Sequence, residues 1–183
     1  EAKCENWRHI CFSRRDEHEW DYKSPIENMK TGGVYAPKLL HDLSRRVDRS
    51  AIITCDVGQH QMWVAQHCYF DNPKDHITSG GLGTMGFCLP AGLGAKLGAP
   101  NRTVITVSGD GSIMMNIQEL ATLFRYNIPL KIVLLDNSAL GMVRQWQEVF
   151  FEKNYSEVNL DDNPDFAMVA KAFQIDAFTI TKG

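Results

Sequence analysis

Short apolar, β-branched runs alternate with stretches of helical period along most of this chain, and only a few residues separate them. The runs at 51–55, 103–108 and Lys131–Leu135 are strand-sized and read as buried strands. Between and before them, Leu39, Leu40, Leu43 and Val47 are spaced as one stripe of a helix, and Pro37 is tolerated in its first turn. A second helix centres on Trp63 and Ala65, and a third ends near Leu97 with Pro90 in its first turn. A fourth carries Ile117, Leu120, Ala121, Phe124 and Ile128. Strand and helix in strict alternation with short connections predict an α/β fold, a parallel sheet with helices on both faces.

The rest of the chain is read around that frame. A weak strand at 76–79 leads into a glycine-rich turn at 80–86. Asn163-Pro164 reads as an N-cap and a first-turn proline, opening a helix with Phe166, Val169, Ala170 and Phe173. A last strand is expected at 178–180. Residues 1–33 are dense in charge, carry Trp7, Phe12 and Trp20 as anchors, and end in Thr31-Gly32-Gly33. Trp7, Ile10, Cys11 and Arg14 share one face of a short amphipathic helix. We read 1–33 as a linker from a preceding domain and 34–183 as one domain with a truncated C-terminus. The start at Glu1-Ala2-Lys3, with neither Met nor a signal-type run, fits that expectation.

Composition removes several function classes. With 22 acidic and 19 basic residues the net charge is −3, so no global positive field attracts nucleic acid or anionic lipid. No apolar run approaches the roughly 20 residues of a membrane span. The five cysteines are odd in number and form no C-x-x-C pair, which points to a reducing cytosol or organelle matrix. Each is expected to be a small buried hydrophobe. The alternative, a zinc site from Cys4, His9, Cys11 and His18, has no tight ligand spacing to support it.

Ligands of such sheets bind beyond the carboxyl ends of the strands. Three groups of loop residues lie there: 56–60, 80–86 with 109–112, and 136–141. Gly81-Leu82-Gly83-Thr84-Met85-Gly86 satisfies G-x-G-x-x-G, which opens a dinucleotide (NAD) reading, but the preceding segment Asp75-His76-Ile77-Thr78-Ser79 is no buried apolar run. The longer signal is Gly109-Asp110-Gly111, then 25 residues (112 to 136), then Asn137. One helix and one strand fill that interval, so Asp110 and Asn137 follow two strands of one βαβ unit. A carboxylate, an amide oxygen and a loop carbonyl can then converge. Such hard oxygen ligands suit Mg²⁺ with open positions for phosphate, and the flanking glycines admit backbone N–H groups to an anion. The plainer reading is a glycine turn with Asp110 capping a helix.

The spacing resembles the metal and diphosphate motif of thiamine diphosphate enzymes. Within them, residues 35–175 resemble the C-terminal cofactor domain of the acetohydroxyacid synthase (acetolactate synthase) family. The likeness is carried by Asp56-Val57-Gly58-Gln59-His60-Gln61-Met62-Trp63, residues 81–90, 109–115 and 136–146. Gly141-Met142-Val143-Arg144-Gln145-Trp146-Gln147 is the most diagnostic stretch. Asp136 departs from the superfamily, which often has Asn there. The resemblance implies that Asp110 and Asn137 bind Mg²⁺ by side chains and Ala139 by its carbonyl. It places Gly58, Gln59, His60, Gly111, Ser112, Leu140 and Gly141 along the diphosphate, with Met142 also at the cofactor and Gly83 and Met85 at its aminopyrimidine end. Met115 would wedge between the two rings and Trp146 would face the second substrate. Without the resemblance, His60 reads as a cap or a satisfied buried histidine, Met115 as core, and Trp146 as an ordinary buried aromatic.

The implied activity is decarboxylation of pyruvate and condensation with a second 2-keto acid, feeding branched-chain amino acid synthesis. The implied partners are the N-terminal pyrimidine-binding domain of a neighbouring subunit, which supplies a catalytic glutamate, a homo-oligomer, and a possible regulatory subunit. FAD would bind mostly outside these residues, and the fragment alone is expected to be inactive. Other readings are a different thiamine diphosphate enzyme such as pyruvate oxidase, a NAD-binding domain, or a catalytically dead binding domain.

Overall fold

The computed structural model describes residues 4–23 and 33–182, with side chains left undescribed at 18–23. Four strands, β1 (Ile52–Cys55), β2 (His76–Thr78), β3 (Val104–Gly109) and β4 (Lys131–Leu135), form one parallel sheet in the order β2-β1-β3-β4. Helix α2 (Ala36–Arg46) precedes β1, and α3 (Gln59–His67), α4 (Cys88–Gly98), the short α5 (Asp110–Ile113) and α6 (Glu119–Arg125) fill the crossovers. The α/β class is as expected. Before them runs α1 (Glu5–Lys23), and after β4 come α7 (Gly141–Phe150) and α8 (Phe166–Ala172).

Alternation along each strand builds two cores. Ile53 and Cys55 of β1 with Ile105 and Val107 of β3 meet Leu40 of α2 and Val64 of α3 on one face. On the other face Leu89 and Leu93 of α4 pack with Leu120 and Leu123 of α6, joined by Ile132 and Leu134 of β4. Because helices cover both faces, β1 and β3 are buried at every position. The second face also carries hydroxyls: Thr54 Oγ1 donates to the Cys88 carbonyl at 3.0 Å and lies 2.9 Å from Thr106 Oγ1. Each buried hydroxyl is thereby satisfied.

Several expectations need correction. No strand forms at 178–180; Phe178 and Ile180 are exposed, and among the described residues no strand lies beside β4 to pair with them. The cap of α8 is Asp165, whose side chain accepts from Met168 N at 3.0 Å, so Pro164 precedes the cap and Asn163 is free for another partner. The N-terminal helix is longer than expected at 19 residues, and its described side chains, Cys4 and Cys11 nearby included, are exposed. Only Cys55 and Cys88 are fully buried cysteines, and Cys68 is half-buried. No described group of three His, Cys, Asp or Glu could hold a metal, and the side chains of His18, proposed for zinc, and Trp20 lie outside the described ones, as do residues 31–32. Among the described residues, no helix is long and apolar enough to cross a membrane.

Candidate functional site

Strand order places the site. The chain steps from β1 outward to β2 and then returns past β1 to β3, so the crevice opens beyond the carboxyl ends of β1 and β3. The two loops that meet there are 56–60 and 109–112. His60, at the start of α3, lies between them: a Cβ at Gly58 would come within 2.6 Å of His60 Cε1, and one at Gly109 within 2.8 Å of the same atom. Both glycines therefore leave room for the ring, and Gly58 also holds φ 153, which L side chains rarely adopt. Burial lowers the imidazole to about 4, against a smaller upward pull from Asp56. His60 Nε2 is buried without a hydrogen-bond partner among the described residues. A polar atom orphaned in this way in a loop crevice is an opening for a ligand.

Asp56 organises the crevice from beneath. It is wholly buried, and its Oδ1 accepts from Phe87 N at 3.1 Å and Val57 N at 3.3 Å. Its Oδ2 accepts from Cys88 Sγ at 3.0 Å and Ser108 Oγ at 3.1 Å. Burial, reinforced by the Asp56 charge, raises the Cys88 thiol far above its ordinary value, so it stays an S–H donor. One carboxylate thus ties the ends of β1 and β3 to the start of α4. Sequence reading placed Asp56 in a loop and gave it no role.

The second half of the site lies between β3 and β4, which pair directly with Gly109 opposite Leu135. Asp110 follows the one strand and 136–141 the other. Asp110 is buried; its Oδ1 accepts from Gly111 N at 3.0 Å and its Oδ2 from Ala139 N at 3.2 Å. The same Ala139 N–H also reaches Asn137 Oδ1 at 3.2 Å. The two side chains predicted to bind the cation, Asp110 and Asn137, are therefore brought together at Ala139, whose own carbonyl accepts no hydrogen bond from a described residue. Burial raises the Asp110 carboxyl above its usual range and the nearby Asp136 carboxylate adds to this, while the Gly111 and Ala139 N–H groups oppose it. Carboxylates so placed favour a neighbouring cation.

Residues 56–183 match the family described as thiamine pyrophosphate enzyme, C-terminal TPP binding domain. The chain belongs to this family. Among relatives of this thiamine pyrophosphate-binding domain, the acetolactate synthase isozyme 2 large subunit of Escherichia coli (strain K12) is 55% identical over 177 residues, covering 97% of this chain and 31% of the relative. The acetolactate synthase large subunit of Haemophilus influenzae is 45% identical over 157 residues, 85% of this chain and 27% of its own length. That of Lactococcus lactis subsp. lactis is 54% identical over 125 residues, 68% of this chain and 22% of its own length. The chain thus spans under a third of the length of these relatives.

Most of the remaining predicted residues border the same crevice of the thiamine pyrophosphate-binding domain. Gln59 Nε2 donates to Gln145 Oε1 at 3.1 Å, and Asn137 Nδ2 to Gln59 Oε1 at 3.4 Å, linking α3, α7 and the 136–141 loop. A Cβ at Gly141 would overlap Gln59 Oε1 and lie 2.8 Å from Asn137 Nδ2. A Cβ at Gly111 would meet Leu140 Cδ2 at 2.8 Å, Leu160 Cδ1 at 3.2 Å and Met85 Cε at 3.6 Å. Ser112 is buried and donates to the Val57 carbonyl at 3.1 Å. Gly83, with φ 65, is exposed in the turn after β2, and Met142 is half-buried in α7. Because β2 is a three-residue edge strand, the G-x-G-x-x-G turn lacks the buried central strand of a dinucleotide fold. Met115 lies over Gly86 and is 55% exposed, and Trp146, 59% exposed, has its ring contact with Phe150. Neither belongs to the core.

Proposed function

We propose that this chain is the cofactor domain of an acetolactate synthase large subunit, holding Mg²⁺ and the diphosphate of thiamine diphosphate. The observation that carries the reading is that Asp110 and Asn137, from the ends of β3 and β4, meet at a single Ala139 N–H that both accept from. Carboxylate, amide and carbonyl oxygens are the donor set of a hard divalent cation. The orphaned His60 Nε2 and the glycine-lined crevice fit an anionic group beside it. Asp110 and Asn137 would hold the metal by side chains and Ala139 by its carbonyl. Gly58, Gln59, His60, Gly111, Ser112, Leu140 and Gly141 would line the diphosphate, with Met142, Gly83, Met85 and Met115 along the rest of the cofactor. When bound, thiamine diphosphate supplies a nucleophilic carbon and an electron sink for loss of carbon dioxide from a 2-keto acid. The chain's own residues position it, exclude water beneath it, and present Trp146 to the second 2-keto acid.

The whole protein would make acetolactate or acetohydroxybutyrate for branched-chain amino acid synthesis, in the cytosol or an organelle matrix. It would work as a homo-oligomer in which the pyrimidine-binding domain of a neighbouring subunit completes each site. FAD would lie mostly in another domain, and a regulatory subunit is a further candidate partner. Helix α7 buries none of its residues and exposes Val143, Trp146, Val149 and Phe150, which supports a covered surface in the larger assembly. The test is isothermal titration of thiamine diphosphate with and without Mg²⁺. Asp110→Ala should abolish the Mg²⁺-dependent binding; unchanged affinity in a folded variant overturns the site.

A further inference from the structure

Asn163 is in neither strand nor helix, and nothing in its position in the sequence links it to Asp110. In the fold its Nδ2 donates to Asp110 Oδ2 at 2.9 Å, across a separation of 53 residues. This contact is one of several between the segment 158–163 and the two loops, 109–112 and 136–141, that carry the proposed ligands. Leu140 N donates to the Val158 carbonyl and Leu160 N to the Ser138 carbonyl, each at 2.9 Å, forming an isolated antiparallel bridge between Ala139 and Asn159. Val158 is buried beneath that bridge, and the Leu160 side chain lies against Gly111. Asn163 N in turn donates to the Leu160 carbonyl at 3.1 Å, which turns the segment toward Asp110.

The count of lone pairs at Asp110 shows what this brace does. A carboxylate offers about four acceptor sites on two oxygens. Gly111 N takes one on Oδ1, while Ala139 N and Asn163 Nδ2 take both on Oδ2. Oδ2 accepts from two separate segments and Oδ1 from the adjacent Gly111 N–H. The carboxylate is therefore fixed in plane and in rotamer before any cation arrives. We infer that Asn163 is a positioning residue for the metal site: it orients the Asp110 carboxylate and locks the 158–163 segment over the ligand loop, so that the site is organised for a divalent cation. This rests on the reading of Asp110 as a ligand of a magnesium–diphosphate site. Partners that orient metal ligands typically contribute 10–100-fold to metal affinity.

The experiment uses the full-length enzyme and follows Mg²⁺-dependent thiamine diphosphate binding by calorimetry and by tryptophan fluorescence, with turnover measured separately at saturating Mg²⁺. Asn163→Leu, close in size but without the donor, should raise the half-saturating Mg²⁺ concentration about 10–100-fold. At saturating Mg²⁺ its kcat should stay near that of the parent. Asn163→Gln, which keeps an amide, should recover most of the loss. Asp165→Ala, which removes the α8 cap two residues away, should leave the Mg²⁺ requirement unaltered. An unchanged Mg²⁺ requirement in Asn163→Leu overturns the inference, as does an equal rise in Asp165→Ala, which would make the effect a general loosening of the segment. If Asn163→Leu fails to fold, Asn163→Ser decides by the same two measurements. Failure of the underlying reading has its own signature: the parent enzyme would bind the cofactor with no dependence on Mg²⁺, or Asp110→Ala would keep the parent's Mg²⁺-dependent affinity.

Discussion

His60 is held in a way that costs stability at low pH. The ring is 6% exposed, lies between Gly58 and Gly109, and its lowered value of about 4 reflects burial of the charged form. An unfolded chain takes up a proton near pH 6.5, the folded one only near 4, so between those values the unfolded state binds more protons. Stability from this group is complete above about 6.5 and falls as pH drops toward 4, by up to about 3 kcal/mol. Urea unfolding at pH 7 and pH 5 should therefore show a smaller difference for His60→Gln than for the parent; an identical pH dependence would mean that the ring titrates normally. Trp146 poses a different question, because its exposure removes any core role. In the full-length enzyme, Trp146→Leu should change the ratio of acetohydroxybutyrate to acetolactate while leaving cofactor affinity nearly intact, since it alters pocket shape alone. Loss of cofactor binding with the product ratio unchanged would exclude the pocket role.

Helix α4 shows how one element serves both fold and site. Its first turn is fixed by Asp56, through Phe87 N and Cys88 Sγ, and its middle lies closely over the sheet at Gly92. A Cβ at Gly92 would overlap Thr106 Oγ1 and come within 3.1 Å of Thr54 Oγ1, on two buried strands. Gly92→Ala should cost about 1–3 kcal/mol through overpacking. Gly94 belongs to the same helix but faces open space, so Gly94→Ala should stabilise by about 0.5–1 kcal/mol through helix propensity. Denaturant midpoints of the two variants should move in opposite directions; a common direction would contradict the packing of α4 on β1 and β3. The cap of α8 teaches a related lesson. Asn163-Pro164 looks like a helix start, yet Asp165 caps the helix and the Asn163 amide is used by Asp110. Local capping rules cannot register a partner 53 residues away.

At the scale of the molecule, the site joins loops from β1, β3 and β4 with the 158–163 segment, so a ligand in it binds only the folded chain. Saturation at about 100 times Kd should add about 2.7 kcal/mol. For a domain of this size that raises Tm by roughly 5–10 °C. Thermal unfolding with thiamine diphosphate and Mg²⁺, then with a chelator added, measures it; no shift with both present would argue against a site shared among these loops. The alternation of strands and helices, the two-faced core, and the pairing of Asp110 with Asn137 across β3 and β4 were all legible in the sequence. They follow from local period and from the handedness of βαβ crossovers, which act over one or two elements. The tertiary structure alone decided that Asp56 ties β1, β3 and α4 together, that His60 Nε2 has no partner among the described residues, that Asn163 turns to Asp110, and that 178–180 forms no strand. Each depends on which distant groups arrive at a buried donor, acceptor or strand edge, and a buried polar atom takes whatever partner the fold brings within 3 Å or so.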